Sequence, residues 1–353
     1  MNDNDDTPGQ ALGRRGLLGL AAALALSAPG AAMTTPQNDS FTNPVLPGVE
    51  AGDPWVIWHE GCYYLTATFD PEGGLWVYSS DRLSDWRHAE RRKVWTPEPG
   101  GPRSKMIWAP ELHHLDGRWY LYFTAADGVD ANHRHYVLEA EHPMGPFVDR
   151  GRVHAEHERY AIDGSVLRLA DGRLFWMYAD NGLWIAPMSG PTRATGPGVR
   201  IARGEHDWER GWHKVDGRWQ PQRDNYWIEA PQALPHAGRH FVVYSAGHTA
   251  AVYYLGLLEL TGADPMDPKS WTKSPQPLFG PTDKVFAPGH NSFTRSPDGS
   301  EDWLVYHAKD QDAGDAHGRT MRIQRFNWSV DGRPVFGLPI ASDVPQRKPS
   351  GET

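Results

Sequence analysis

One phrase of alternating apolar and polar positions recurs five times along the chain. Its clearest copy is WAPELHHLDGRWYLYFTA, from Trp108 to Ala125, where two strand-like runs flank Asp116-Gly117. Period-2 alternation around Asp-Gly is a strong local signal for a β-hairpin. Similar phrases open at Asp53 (DPWVIWHEGCYYLTATF), Asp163 (DGSVLRLADGRLFWMYA), Glu229 (EAPQALPHAGRHFVVYSA) and His290 (HNSFTRSPDGSEDWLVYHA). The five starts are separated by 55, 55, 66 and 61 residues. Each copy is followed by a further strand-like run: Leu75–Ser79, His135–Glu141, Leu183–Pro187, Tyr253–Leu260 and Met321–Trp328. A polar stretch containing several tryptophans, Gly190 to Tyr226, reads as a long connection before the fourth copy. No helix longer than two turns is expected.

Five similar units of three or four strands predict an all-β chain, a five-bladed β-propeller with its active site at the central channel. A β-sandwich would not account for five similarly built units. The expected organisation is an export signal over residues 1–32, a linker over 33–47, the propeller over 48–345 and a tail over 346–353. In a propeller the innermost strand of every blade faces one axis. Asp53, Asp163, Glu229 and His290, distant in sequence, are therefore expected to meet at the channel mouth.

Composition agrees with many short strands: 37 Gly and 30 Pro punctuate a chain of 353 residues with 39% hydrophobic content. The formal net charge of −9 gives no global attraction to nucleic acid or to an anionic membrane, so neither is an expected partner. Near the start, Arg14-Arg15 precede the apolar GLLGLAAALALSAPGAA, which reads as a twin-arginine signal cleaved near Ala32 and predicts a periplasmic or secreted protein. The apolar run is short for a membrane span. Cys62 is the single cysteine, so no intramolecular disulfide can form. It is expected to act as a small buried hydrophobe.

Two carboxylates flanking a glycosidic bond are the common apparatus of glycoside hydrolysis. One must be ionised to activate water and the other protonated to supply the leaving oxygen, so their environments must drive the pKa values apart. A third carboxylate raises the acid's pKa by repulsion. The sequence AGDPWVIW at Asp53, WAPEL at Trp108, AIDGSV at Asp163, EAPQAL at Glu229, APGHNSF at His290 and GRTMRIQRFNW at Arg319 resembles glycoside hydrolase family 43, in that family's order. The resemblance covers roughly Asn43 to Leu338. It implies a five-bladed propeller that hydrolyses arabinose- and xylose-containing glycans with inversion. It further implies Asp53 as general base, Glu229 as general acid and Asp163 as pKa modulator. His290 and Arg319 are implied to contact substrate, with Arg319 also favouring ionised Asp163 and Arg322 a less well matched candidate. Trp108 is expected to wall the sugar site, with Phe69 and Trp55 as further aromatic candidates. Glu111 receives no catalytic role.

Within the family the closest likeness is to members that remove terminal α-L-arabinofuranosyl units. The expected substrate is a plant cell-wall polysaccharide or oligosaccharide such as arabinan, arabino-oligosaccharide or arabinoxylan. β-Xylosidase, endo-arabinanase and a catalytically silent carbohydrate-binding propeller are the competing readings. Invertase-like enzymes are disfavoured because Glu229 is followed by Ala230 and Asp53 is preceded by Gly52. No cofactor is required, no tightly bound metal is encoded, and a channel ion near His290 is left open. His113, His114, His133 and His135 are expected in solvated turns or loops, without metal-ligand spacing.

Overall fold

The computed structural model describes residues 39–69, 73–250, 252–312 and 314–352. The expected export signal at residues 1–32 lies outside the described residues. Five sheets follow one another along the chain, forming a five-bladed β-propeller. Blade I runs from the inner strand Gly52–His59 through Cys62–Thr68 and Leu75–Ser80 to Glu90–Trp95. Blade II comprises Lys105–Leu115, Arg118–Ala126, Arg134–Ala140 and Val148–Arg152. Blade III comprises Ile162–Arg168, Leu174–Ala179 and Leu183–Gly190, the last pairing with both Arg193–Ala194 and Val199–Ala202. Blade IV comprises Ile228–His236, Arg239–His248, Val252–Leu260 and Trp271–Lys273. Blade V comprises Phe286–Arg295, Asp302–Lys309, Thr320–Trp328 and Pro334–Val335. Helical structure among the described residues is confined to short 3₁₀ turns such as Asp207–Glu209.

The expected hairpins form for the expected reason. Asp116 (φ 51°) and Gly117 (φ 79°) both occupy left-handed backbone, as do Glu60 and Gly61, which matches the strand twist of a two-residue hairpin turn. The core is divided into five clusters, one at each junction between neighbouring blades. Leu112, Leu121 and Leu138 meet Leu75 and Val77 between blades II and I. Val305, Met321 and Ile323 meet Val56, Tyr63 and Leu65 between blades V and I, which closes the ring. Apolar residues on both faces of each blade are thus buried by its two neighbours, which is why the strands read as aromatic and aliphatic on both sides.

Four expectations need correction. The described parts of the expected linker and tail, residues 39–47 and 346–352, are not simply linker and tail, because Ser40–Phe41 pairs antiparallel with Gln346–Arg347. Asn43 exchanges two 3.0 Å hydrogen bonds with the backbone of Ile323, and Val45 and Leu46 are buried in the core. These segments close the ring, and two-residue strands carry no periodicity for a sequence to display. The Gly190–Tyr226 stretch is not a plain connection: it supplies the outer strands of blade III and a separate hairpin, Arg210–Val215 with Arg218–Tyr226. Cys62 begins its strand half-buried. His113 and His135 lie inside strands, and with His133 they are buried. His113 meets Glu111 at 2.8 Å, while His133 stacks on Trp108 with ring centroids 4.2 Å apart.

Candidate active site

Every inner strand begins with the same irregularity. The register shifts between Gly52 and Trp55, Trp108 and Glu111, Ile162 and Ser165, Glu229 and Gln232, and Gly289 and Ser292. In each bulge one residue takes left-handed φ: Asp53 (54°), Ala109 (44°), Asp163 (53°), Ala230 (53°) and His290 (44°). Positive φ is unfavourable for residues with a Cβ, so five repeats of it require strong surrounding support. Bulges re-aim side chains at sheet ends. Here they create two rings of positions rather than the single ring that the repeat implies. Asp53, Asp163 and His290 stand at the left-handed position, whereas Trp108 and Glu229 stand one residue earlier.

At that earlier position the five residues are Gly52, Trp108, Ile162, Glu229 and Gly289. Trp108, Ile162 and Glu229 line a cavity of about 780 Å³. The two glycines give way to side chains from elsewhere. A Cβ on Gly52 would overlap the Arg319 guanidinium, and one on Gly289 would overlap the Tyr253 ring. Arg319 and Tyr253 both line the cavity, together with Asp53, Asp163 and His290. The structure therefore brings together six of the seven residues expected from the sequence. Phe69 is the exception, since it packs against Tyr78, with ring centroids 5.0 Å apart, in the core between blades V and I. Trp55 also faces a neighbour, donating through Nε1 to Leu112 O at 2.8 Å and packing on His113. Arg322 is fully buried and pairs with Asp310 at 2.8 Å, away from the cavity lining.

Asp53 is buried inside a cationic shell. Arg319 Nη1 donates to Oδ1 at 2.7 Å, and His290 Nδ1 lies 3.2 Å from the same oxygen. Thr68 Oγ1 donates to Oδ2 at 2.7 Å. Burial alone would raise the Asp53 pKa, but Arg319, His290 and His307 outweigh it and hold the carboxyl well below its usual range. Arg319 thus pairs with Asp53 rather than with Asp163, its expected partner, because it passes directly over Gly52. His307 accepts the Asp53 backbone N–H through Nδ1 at 3.0 Å. Burial pushes its pKa down to about 3, so it is neutral, with its proton on Nε2 facing Thr249 Oγ1 at 3.2 Å.

The other two carboxyls shift the opposite way. Burial is the main cause for both; repulsion from Glu229 and Asp53 adds to it at Asp163, which is pushed up to about 8. Glu229 is also raised, by burial and by Asp53, against the lowering effect of Tyr253 and His290. Tyr253 Oη donates to Glu229 Oε1 at 2.7 Å. Burial would lower the His290 pKa, but Asp53, Asp163 and Glu229 together raise it. With one proton on the Asp163–Glu229 pair, two negative charges balance Arg319 and protonated His290. A buried site of this size then carries one mobile proton and no uncompensated charge.

Sequence reasoning did not single out Thr68, His307, Tyr253, His248 or Trp227. Thr68 and His307 occupy the same place in their blades, immediately ahead of the residue that ends the apolar run, a recurrence visible in YYLTATF and LVYHA. The other three carry no comparable signal.

Comparison with known proteins agrees with this geometry. The model of the family Glycosyl hydrolases family 43 matches residues 41–334. An extracellular exo-α-(1→5)-L-arabinofuranosidase of Streptomyces chartreusis is 36% identical over 325 residues, covering 88% of this chain and 95% of that protein. The α-L-arabinofuranosidase 43 of Humicola insolens is 31% identical and shares 83% of this chain and 62% of its own length. Among solved structures, an α-L-arabinofuranosidase from Lactobacillus brevis superposes with a TM-score of 0.76 at 30% identity, covering 86% of this chain and 98% of that one. With the propeller and these relatives in agreement, the chain belongs to glycosyl hydrolase family 43 and is a glycosidase that hydrolyses O-glycosyl bonds.

Proposed function

We propose that this glycosidase is an exported, inverting α-L-arabinofuranosidase that releases terminal arabinofuranosyl units from arabinan, arabino-oligosaccharides or arabinoxylan. The observation that carries the reading is the opposed shift of the carboxyls: Asp53 is held down while Glu229 and Asp163 are held up. Asp53 is then the general base. Its Oδ1 is engaged by Arg319 and His290, so the free lone pair on Oδ2, beside Thr68, takes the proton of the attacking water. Glu229 is the general acid. Because Tyr253 occupies Oε1, the transferable proton resides on Oε2 and passes to the leaving oxygen as the glycosidic bond breaks. Asp163 keeps that proton in place by repulsion and accepts the N–H of Ala230 at 3.2 Å, next to the acid.

The arabinofuranosidase names of the relatives at 31–36% identity support the substrate. Exo action is supported by the hairpin Arg210–Tyr226, whose Asn225 and Tyr226 line the cavity and whose Trp219 reaches Asp312 of the blade V loop at 3.1 Å. The Streptomyces chartreusis relative is named extracellular, which supports export. The mechanism uses no cofactor. Among the described residues no group of three or more His, Cys, Asp or Glu side chains is arranged to hold a metal ion.

Product analysis on linear arabinan, arabinoxylan and xylo-oligosaccharides tests the reading. Arabinose alone from arabinan, released with inverted anomeric configuration in a proton NMR time course, is the expected result. A ladder of arabino-oligomers would indicate endo cleavage, xylose as the preferred product would indicate a β-xylosidase, and binding without turnover would indicate a carbohydrate-binding propeller.

A further inference from the structure

The cavity extends past the acid–base groups to a shelf that the mechanism leaves unused. Trp227, Tyr226, Asn225, His248 and Thr249 line it. Trp227 is 40% exposed, yet its backbone is fixed on both sides. Its N–H donates to Glu209 O at 2.9 Å, and its carbonyl accepts from Gly247 N–H at 3.1 Å. The indole stacks on His248, with ring centroids 5.0 Å apart and planes at 23°. His248 also packs against Trp219, at 5.3 Å and 40°. Trp219 donates to both carboxylate oxygens of Asp312 at 3.1 Å. The shelf is therefore a rigid aromatic surface, braced from behind by the hairpin and kept open to solvent.

His248 adds directionality. Its Nδ1 accepts the N–H of Ala250 at 3.0 Å. Burial and the charge of Lys309 lower its pKa, so the ring is neutral and its proton resides on Nε2. No acceptor for that proton occurs among the hydrogen bonds of the described residues. An exposed aromatic face beside an unpaired N–H matches the two faces of a sugar, apolar C–H on one and hydroxyls on the rim. Its position selects which sugar. Trp227 precedes Glu229 by two residues, about 6–7 Å of extended chain. Glu229 is the group that protonates the leaving oxygen, so the shelf lies on the leaving-group side.

We propose that Trp227 and His248 form a binding platform for the sugar on the leaving-group side of the scissile bond, making the enzyme selective for chain-linked over isolated arabinofuranosides. This rests on the arabinofuranosidase reading above. The platform acts through binding energy remote from the reacting bond, which is expressed in kcat/KM only when that second sugar is present.

The test compares kcat/KM for arabinotriose with that for methyl α-L-arabinofuranoside, whose leaving group has no ring. Trp227→Ala is expected to lower the ratio of the two by roughly tenfold or more. Trp227→Phe should restore most of it, His248→Phe should keep the stack but lose the donor and fall between, and Trp219→Ala should lower the ratio least. The alkaline limb of the pH profile should stay in place, because Glu229 is not displaced. Equal losses on both substrates would overturn the proposal and make Trp227 a support for the acid alone; an unchanged rate on arabinotriose would also overturn it. If the wild-type enzyme releases xylose instead, the arabinofuranosidase reading fails by itself. The same ratio, taken with xylotriose and methyl β-D-xyloside, then decides the platform independently.

Discussion

Four of the five junctions between blades are fastened in one way, and the junction between blades III and IV in another. At the ordinary junctions, a polar side chain from the second strand of one blade accepts the N–H of the left-handed residue in the next blade. Ala109 N–H donates to Thr68 Oγ1 at 2.9 Å, and Asp163 N–H to Thr124 Oγ1 at 3.2 Å. His290 N–H donates to Ser245 Oγ at 2.8 Å, and Asp53 N–H to His307 Nδ1 at 3.0 Å. In blade III the corresponding residue is Ala179, paired with Ile162 as Thr68 is with Gly52. Alanine offers no acceptor, and Asp163 Oδ2 takes the Ala230 N–H at 3.2 Å instead. The difference teaches that only at this junction does an active-site carboxylate itself act as the fastener; Thr68 and His307 also touch Asp53, but there a hydroxyl and a ring nitrogen take the backbone N–H. Elsewhere the scaffold holds the bulges without spending a carboxylate, whereas at Ala179 the missing hydroxyl ties Asp163 to the residue beside the acid.

The largest effect is expected where chemistry is removed and fastening is not. In Asp53→Asn the backbone N–H still reaches His307, so the ring should close and the protein should fold. Turnover should fall by roughly 10²–10⁴-fold, because an amide cannot take the proton from water. Circular dichroism alongside initial rates checks both halves. Near-wild-type activity would remove Asp53 from the role of base.

At the exceptional junction the two functions can be separated within one residue. Asp163→Asn keeps an oxygen for Ala230 N–H but removes the charge, whereas Asp163→Ala removes both. Loss of activity by about tenfold to a hundredfold is expected for the first, with a downward shift of the alkaline limb as Glu229 loses its repelling neighbour. A greater loss is expected for the second. Stability carries a separate signature. Burial raises both carboxyls on folding, Asp163 to about 8, so the Asp163–Glu229 pair in the folded chain shares a proton that the unfolded chain has released. The stability owed to this proton is complete below the unfolded value and is lost as pH rises through the folded value. Relative to wild type, Asp163→Asn should therefore gain in Tm steadily between pH 4 and pH 8. A gain that is the same at both ends would mean that the Asp163–Glu229 pair holds no proton in the folded protein.

How much of this was legible depends on the range of each interaction. The hairpins were legible because their turns are local: Asp116-Gly117 declares its own backbone geometry, and aromatic strands declare burial on both faces. Asp53, Asp163, Glu229, His290, Trp108 and Arg319, which line one cavity in the structure, stand in short motifs that occur in the family's order. Phe69 was misplaced because an aromatic at a strand end reads the same whether it faces a cavity or a neighbouring blade. The pairing of Arg319 with Asp53 depends on the space above Gly52, which no local pattern reveals. Thr68, Thr124, Ser245 and His307 were in plain view within their repeats, yet their partners are backbone groups of the following blade. The hairpin at Arg210–Tyr226 carries its own turn at Asp216-Gly217, but its strands are mostly polar and resemble a connection.

A smaller effect tests whether the exception can be made ordinary. Ala179→Ser places a hydroxyl where Thr68, Thr124 and Ser245 have one. Ala230 N–H should transfer to it and release Asp163 Oδ2. That hydrogen bond lowers the Asp163 pKa, so its loss should raise the value further, by less than about one unit. The fold should be kept and turnover reduced a few fold as the acid's strand loses its tie to Asp163. An unchanged pH profile would show that the Asp163–Ala230 bond has no bearing on the proton. By contrast, Ser245→Ala at an ordinary junction strands the His290 N–H and should cost about 1–3 kcal/mol of stability in denaturant unfolding.

The smallest effect concerns the acid itself. Tyr253→Phe leaves the ring that fills the space above Gly289 and lies parallel to His307, with centroids 5.8 Å apart, so packing should survive. What disappears is the donation from Tyr253 Oη to Glu229 Oε1. A donor favours the ionised carboxylate over the protonated form, so its removal should raise the Glu229 pKa above a value already raised by burial. Glu229 would then keep its proton to higher pH, and the alkaline limb of kcat should move up by about one unit or less. The direction is opposite to that expected for Asp163→Asn, although both substitutions touch the same proton. A shift downward in Tyr253→Phe would mean that Tyr253 stabilises the protonated acid, and the assignment of the transferable proton to Oε2 would fall with it.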